Sequence, residues 1–173
     1  FQILLGFTTD TYDLLGLPTS CSGKIKTETD KLYNNKDKIE KVLEKYLGDS
    51  FQEFPNYSSY VAKSKHTGER KPLWKWSKED RLNEIDIPGK NIRIEDLKVL
   101  RIYNLTTGDL NDIISNKLNK NTEGDFRKNE IMKQWDNVLS KYNKNIFWKI
   151  IEAEASVSSG TYIRSLTDKI GKE

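Results

Sequence analysis

The stretch Ile146–Leu166, IFWKIIEAEASVSSGTYIRSL, decides how this chain is read. Ile151, Ala153, Ala155 and Val157 alternate with Glu152, Glu154 and Ser156. That is the period-two pattern of a strand with one buried and one wet face. GTYIRSLTDKIG follows, and Ile163, Leu166 and Ile170 in it recur at helical spacing. A strand therefore feeds a helix, and Arg164 falls in the first turn of that helix, beside Tyr162 and behind Gly160. An arginine at the edge of a core stripe is costly unless paired, and a carboxylate is its natural bidentate partner. A structural ion pair and a functional one both satisfy that need.

Outward from this stretch the pattern is mixed. FQILLGF, residues 1–7, reads as a strand. TTDTYDLLGLPT is rich in turn formers. Asp30–Leu47 holds a helix on Ile39, Val42, Leu43 and Tyr46, with Gly48 at the C-terminal cap position. FPNYSSY is a loop, since Pro55 stops a helix. LWKWSKEDRL suits a short helix. EIDIPGKNIRIEDLKVLRIYNL reads as strands joined by a Pro-Gly turn, with Ile85/Ile87 and Ile92/Ile94 alternating with polar residues. Residues 106–125 read as a polar loop insertion with a weak helix. Ile131, Trp135, Val138, Leu139 and Tyr142 mark an amphipathic helix over Asp125–Tyr142. There is no internal repeat. The fold class expected is α+β, with one mixed or antiparallel sheet and flanking helices.

The 173 residues suit one domain, or one domain and part of a second. Hydrophobic residues make up 35% and charged residues 32%, the composition of a polar chain that still folds around a core. The longest apolar runs are too short to span a bilayer. Cys21 is the sole cysteine and His66 the sole histidine, which excludes an intrachain disulfide and a Cys/His metal cluster. No phosphate-binding glycine loop occurs. A reducing, cytoplasmic location is expected. The chain opens on Phe1 within a strand and closes within a helix, so it reads as an internal piece of a longer protein.

Two segments carry polar chemistry. Between Lys63 and Lys78 stand six basic residues (Lys63, Lys65, Arg70, Lys71, Lys75, Lys78) and one acid, Glu69, with His66, Trp74 and Trp76 interleaved. Cations for phosphates and rings for stacking suit a nucleic-acid surface. A solvated lysine-rich loop with core tryptophans fits the same letters. In TDTYD, Asp10 and Asp13 are three apart. Paired carboxylates can exchange protons with a substrate, and they can equally cap turns.

Three stretches, in order, resemble the TruB-type tRNA pseudouridine synthases. SSGTYIRSL resembles that family's GTYIR-(S/T)-L. LLGFTTDTYDLLG resembles its LG-x-x-TDT-x-D-x-x-G. FPNYSSYVAKSKHTGERKPLWKWSKEDRL resembles its P-x-YSA-x-K-x-x-G-K-x-x-Y-x-x-AR, with a few extra residues between Ser59 and Lys71 and with Trp74 where the family often has tyrosine. IPGKNIRIEDLKVL resembles the strand segment that follows. Together these cover most of the chain.

The resemblance implies a partial pseudouridine synthase catalytic domain over residues 1–173, with 63–81 as its RNA-binding segment. It implies isomerisation of a T-loop uridine in tRNA, without cofactor or metal, on a base flipped from its stack. A catalytic aspartate attacks the nucleotide, the glycosidic bond breaks, the uracil turns over and a carbon–carbon bond forms. Arg164 matches the arginine that pairs with that aspartate. Tyr162 matches a pocket tyrosine, and Asp10 and Asp13 match turn and pocket-rim positions. Tyr57, Lys63, Lys65 and Lys71 fall in the segment that grips the T stem-loop, read by shape and phosphate. The expected partner is tRNA, with no membrane, met by a monomer.

The family's nucleophile motif, G-T-L-D-P, is absent, so the resemblance puts the attacking aspartate upstream of Phe1 and a C-terminal RNA-binding extension beyond Glu173. The fragment itself is then expected to be inactive. A guide-RNA-dependent relative is disfavoured by the TDT-x-D wording. A non-catalytic RNA-binding module or tRNA chaperone of the same fold is the alternative, and a domain used for protein contacts is the plainest one.

Overall fold

The computed structural model describes residues 1–21, 35–120 and 127–173. In chain order they form β1 (Gln2–Leu4), β2 (Phe7–Thr9), β3 (Pro18–Cys21), α1 (Lys36–Glu44), β4 (Gly48–Glu53), β5 (Val61–Lys63) and β6 (Arg70–Pro72). Then follow α2 (Leu73–Lys78), a 3-10 turn (Leu82–Glu84), β7 (Gly89–Thr106), α3 (Thr107–Lys120), α4 (Lys128–Leu139), β8 (Phe147–Val157) and α5 (Ile163–Gly171). The main sheet is antiparallel, in the order β1-β8-β7-β4, and β2-β3 and β5-β6 are separate two-stranded sheets. The α+β class expected from sequence is the one observed.

β7 shows how the sequence sets the register. Its buried or core-packed apolar residues are Ile92, Ile94, Leu97, Val99 and Ile102. Strict alternation would run 92, 94, 96, 98. The register shifts between Ile94 and Asp96 and again between Val99 and Arg101. Each shift adds one residue to β7 and moves the apolar set on by one, so all five stay on the same face. Across from them, Ile151 of β8 joins the same core, which Ile39 and Leu43 of α1 and Leu166 and Ile170 of α5 complete.

β8 also turns its other face to a second core. Trp148 packs with Leu110, Ile114 and Leu118 of α3 and Ile131, Trp135 and Leu139 of α4. Neighbouring residues of a strand point to opposite faces, yet Ile150 and Ile151 are both buried, at 4% and 3% exposure. The sheet is therefore covered on one face by α1 and α5 and on the other, towards the Thr106–Phe147 end, by α3 and α4. At its opposite end that second face is wet: Lys98 pairs with Glu154 at 3.0 Å and Arg93 with Asp49 at 2.9 Å.

Several expectations are corrected. The opening seven residues are not one strand. Gly6, at φ 99°, turns the chain so that β1 joins the main sheet and β2 pairs with β3. Ile85 and Ile87 do not form a strand paired through a Pro-Gly turn. Ile85 packs with Ala62, Leu73 and Trp76 in a third small core, Ile87 is exposed, and Gly89 opens β7 opposite Glu53. Pro88, just before it, has no N–H to give to a ladder. β4 carries no apolar alternation to announce it, because its one buried residue is polar, Gln52.

In the polar stretch after Thr106 the expected weak helix takes up all the described residues from Thr107 to Lys120, in place of a loop. It is α3, fourteen residues long, with Leu110, Ile114 and Leu118 on a buried stripe among Asn, Asp and Lys. Residues 121–125 of that stretch lie outside the described residues, as does the Asp30–Asn34 part of the expected first helix. α1 starts at Lys36, where the Asn35 side chain accepts from the Lys38 N–H. Among the described residues no helix is long and apolar enough to cross a membrane.

Candidate functional site

The TDTYD turn is built by its own polar side chains. Thr9 Oγ1 donates to the Asp13 carbonyl at 2.7 Å. Asp13 Oδ1 accepts from Thr11 Oγ1 at 2.8 Å and from the Leu15 N–H at 3.0 Å. Asp10 Oδ1 accepts from the Leu17 N–H at 2.8 Å. These are the short-range carboxylate and hydroxyl bonds that fix tight turns. Gly16 is required by closeness: a Cβ there would stand 2.2 Å from Thr11 Oγ1. The turn also forces Tyr12 to φ 65°, the left-handed region, with its side chain on a neighbouring cleft.

Gln52 of β4 fixes the start of α5. Its amide nitrogen donates to the Tyr162 carbonyl at 3.1 Å, and its amide oxygen accepts the Tyr162 N–H at 2.8 Å. The Tyr162 ring lies 5.5 Å from that of Phe54. From this anchor α5 carries Arg164 towards the turn. Arg164 Nη1 donates to the Thr11 carbonyl at 3.1 Å, and Nη2 donates to the Tyr57 carbonyl at 2.8 Å. The Asp13 carboxylate is 3.7 Å from Nη1, with side-chain exposures of 23% for Arg164 and 39% for Asp13. The tight bidentate carboxylate pair is not what Arg164 makes. Two backbone carbonyls hold its fork, and Asp13 stands at the edge of contact.

A cleft of about 750 Å³ opens beside this junction. β1, the edge strand of the main sheet, forms one wall, and α3 and α5 reach it from the sides. Its polar end holds Tyr12, Asp13, Arg164, Thr167 and Asp168. Asp168 is paired with Lys172 at 2.5 Å, and that hydrogen bond holds the Lys172 ammonium above its ordinary pKa. The rest of the cleft is largely apolar, with Ile3, Leu5, Leu110 and Trp135 in its walls. Apolar walls with a few converging polar groups are the usual make-up of a small-ligand site. Among the described residues no group of three or more His, Cys, Asp and Glu is placed to hold a metal.

The basic segment divides into a buried and an exposed part. In the β5–β6 hairpin, Ala62 is opposite Lys71 and Lys63 is opposite Arg70. Ala62 and Lys71 face the small core, and Lys71 is only 8% exposed. Its ammonium bonds Glu79, sits 3.2 Å from Glu69 and lies 4.0 Å from the Trp76 ring centroid. Arg81 bonds Glu84 at 2.6 Å and Glu79 at 3.1 Å, with its guanidinium 5.1 Å from the same ring. Trp76 is fully buried, and its Nε1 donates to the Lys71 carbonyl at 3.0 Å. Hydrogen bonds from Lys71 hold the Glu79 carboxyl below its ordinary pKa, and those from Arg81 do the same for Glu84.

Lys63, Lys65, His66, Arg70, Lys75 and Lys78 stay exposed, and Trp74 is half-buried. Lys65 is 2.7 Å from exposed Asp86. Lys63 and Arg70 are like charges directly across a strand pair, an arrangement that an anion relieves.

Of the residues singled out from sequence, Arg164, Asp10 and Tyr57 meet around the turn. Tyr162 lies beside Arg164 and against Phe54, and of these four only Arg164 lines the cleft. Lys63, Lys65 and Lys71 belong to the separate hairpin. Nothing in the sequence marks Gln52 or Arg127. Neither belongs to a periodic pattern or to a motif, and the contacts that give them importance are more than a hundred residues away in sequence. No family model matches the chain, and no curated protein matches it.

Proposed function

We propose that this chain is the arginine-bearing part of a tRNA pseudouridine synthase domain that isomerises a uridine in the T loop. One observation carries the reading: Arg164 joins the carbonyls of Thr11 and Tyr57 at the polar end of the cleft, so the three stretches that resemble the family converge on one guanidinium. In this reading Arg164 aims and holds the attacking carboxylate, Tyr12 and Asp13 stand at the rim around a flipped base, and Tyr162 beside Arg164 and Asp10 within the turn support them from behind. The exposed cations Lys63, Lys65 and Arg70 contact phosphates of the T stem. Lys71 supports them from below, by fixing the hairpin on Trp76. The reaction uses no cofactor and no metal.

The nucleophile is assigned to neither Asp10 nor Asp13. Both carboxylates hold the turn through hydrogen bonds to Leu17, Thr11 and Leu15. The sequence has no GTLDP stretch, so this reading puts the attacking aspartate outside the 173 residues. The test is pseudouridine formation on a T-arm transcript by the full-length protein, with the 173 residues alone as the expected inactive control. Turnover by those residues alone overturns the assignment of the nucleophile. A second reading, an RNA-binding module without chemistry, is favoured by the same engagement of Asp10 and Asp13. T-arm binding by the full-length protein with no pseudouridine formed selects it.

A further inference from the structure

The α3–α4 layer lies outside the three stretches that resemble the synthase family, yet it brings a second arginine to the same turn. Arg127, immediately before α4, donates from Nη1 to Asp10 Oδ2 at 2.8 Å. The two side chains are 12% and 19% exposed, so the pair is largely withdrawn from water. The Arg127 guanidinium also lies over the Tyr57 ring, 4.6 Å from its centroid. Within α4, Trp135 Nε1 donates to the Leu14 carbonyl at 3.2 Å. The turn is thus held from this side at Asp10 and at Leu14.

The backbone gives an independent sign. Arg127 occupies the N-cap of α4 at φ 53° and ψ 23°, and its side chain makes no cap hydrogen bond. A residue with a Cβ visits the left-handed region at a cost, and persists there when its surroundings over-determine it. The contacts to Asp10 and Tyr57 are among those surroundings.

We propose that Arg127 is a positioning residue for Arg164. The two guanidiniums grip adjacent parts of the same two loops. Arg164 takes the carbonyls of Thr11 and Tyr57, while Arg127 takes the carboxylate of Asp10 and the ring of Tyr57. Without Arg127, Asp10 becomes a poorly hydrated charge lacking its partner, which a turn relieves by opening. Opening shifts the Thr11 carbonyl next to it, and with it the direction of the Arg164 fork. The catalytic consequence rests on the proposed function, whereas the structural coupling does not.

The test has two arms on the full-length protein. The first follows the Arg164 Nε–H signal by NMR with ¹⁵N-arginine, in the native protein and in Arg127→Ala and Arg127→Lys. The expected result is a shifted or broadened Arg164 signal in Arg127→Ala and a smaller change in Arg127→Lys, which keeps the charge but not the planar fork. An Arg164 signal unmoved by Arg127→Ala overturns the proposal, even if the melting temperature falls, because Arg127 then only packs. Should Arg127→Ala not fold, the same signal is followed in Arg127→Lys and Asp10→Asn, and no change in either overturns it.

The second arm measures pseudouridine formation on a T-arm transcript. Misaim of a positioned group lowers kcat by about tenfold or more in Arg127→Ala, with KM changed less than about twofold and partial recovery in Arg127→Lys. A moved Arg164 signal in a full-length protein that makes no pseudouridine supports the positioning role and sinks the proposed reaction.

Discussion

Gln52 and Tyr162 hold each other by two hydrogen bonds, the side-chain amide of one matched to the backbone N–H and C=O of the other. This ties edge strand β4 to the residue before α5, across 110 positions of sequence. Gln52 is only 2% exposed, so water does not replace the amide if it is removed. Gln52→Ala is therefore expected to cost about 1–3 kcal/mol, the penalty of leaving a buried polar group unsatisfied. Gln52→Glu keeps the size but cannot donate to the Tyr162 carbonyl at neutral pH, and it is expected to destabilise as well. Urea unfolding of the two variants checks both.

Arg164→Lys separates geometry from charge. A lysine cannot span the Thr11 and Tyr57 carbonyls as the planar fork does. The expected result in the full-length protein is loss of most pseudouridine formation with T-arm affinity retained. The stability loss is expected to be modest, about 1 kcal/mol, since neutral acceptors are involved and the group is partly exposed. Loss of T-arm binding in parallel with activity would show that Arg164 contacts RNA instead.

The basic hairpin predicts a division of labour. Changing Lys63, Lys65 and Arg70 together to Ala is expected to weaken T-arm binding and to flatten its dependence on salt by about one unit of slope for each phosphate no longer neutralised. Stability is expected to stay within about 0.5 kcal/mol. Lys71→Ala is expected to do the reverse. Glu69 and Glu79 would lose the buried ammonium they share and keep only Arg81, at 3.2 and 3.1 Å, and the loss would register in unfolding. A filter-binding titration at several salt concentrations, paired with thermal melts, tells the two apart.

Acid is expected to loosen this segment first. Glu79 and Glu84 are held below the ordinary value of 4.5 by hydrogen bonds from Lys71 and Arg81. A carboxyl whose pKa is lower in the folded state binds its proton more readily when unfolded. Its stabilising contribution is present above the unfolded value and is lost as the pH falls through the lower, folded one. Stability is expected to fall from about pH 4.5 downwards. Glu79→Gln in a pH series of melts followed by tryptophan fluorescence is expected to lessen that slope.

The sequence was legible where one period ran unbroken. β8 alternates and α5 repeats at helical spacing, and both stand where the letters put them. β7 was half legible, because its two register shifts break the alternation that announces a strand. β4 was hidden because its inward residue is an amide, and α3 because asparagines and lysines crowd its stripe of leucine and isoleucine. At the site, the need of Arg164 for an acceptor could be read, but the acceptor could not. A backbone carbonyl has no letter of its own, so any residue at Thr11 or Tyr57 would have offered the same oxygen. Arg127 had no signal at all, since its importance comes from a fold that brings residue 127 to residue 10.

Thr106 and Phe147 are the last partners of the β7–β8 ladder, and they sit directly opposite each other. α3 and α4 lie between them in sequence, beyond a ladder that is already closed. In topological terms the helical layer is a removable module: a short connection could replace residues 107–146 and leave the strand order of the main sheet unchanged. Such a shortened chain would keep its β-sheet circular dichroism while baring Trp148. It would lose the grip of Arg127 on Asp10, so the scaffold of this protein can outlive the part that tunes it.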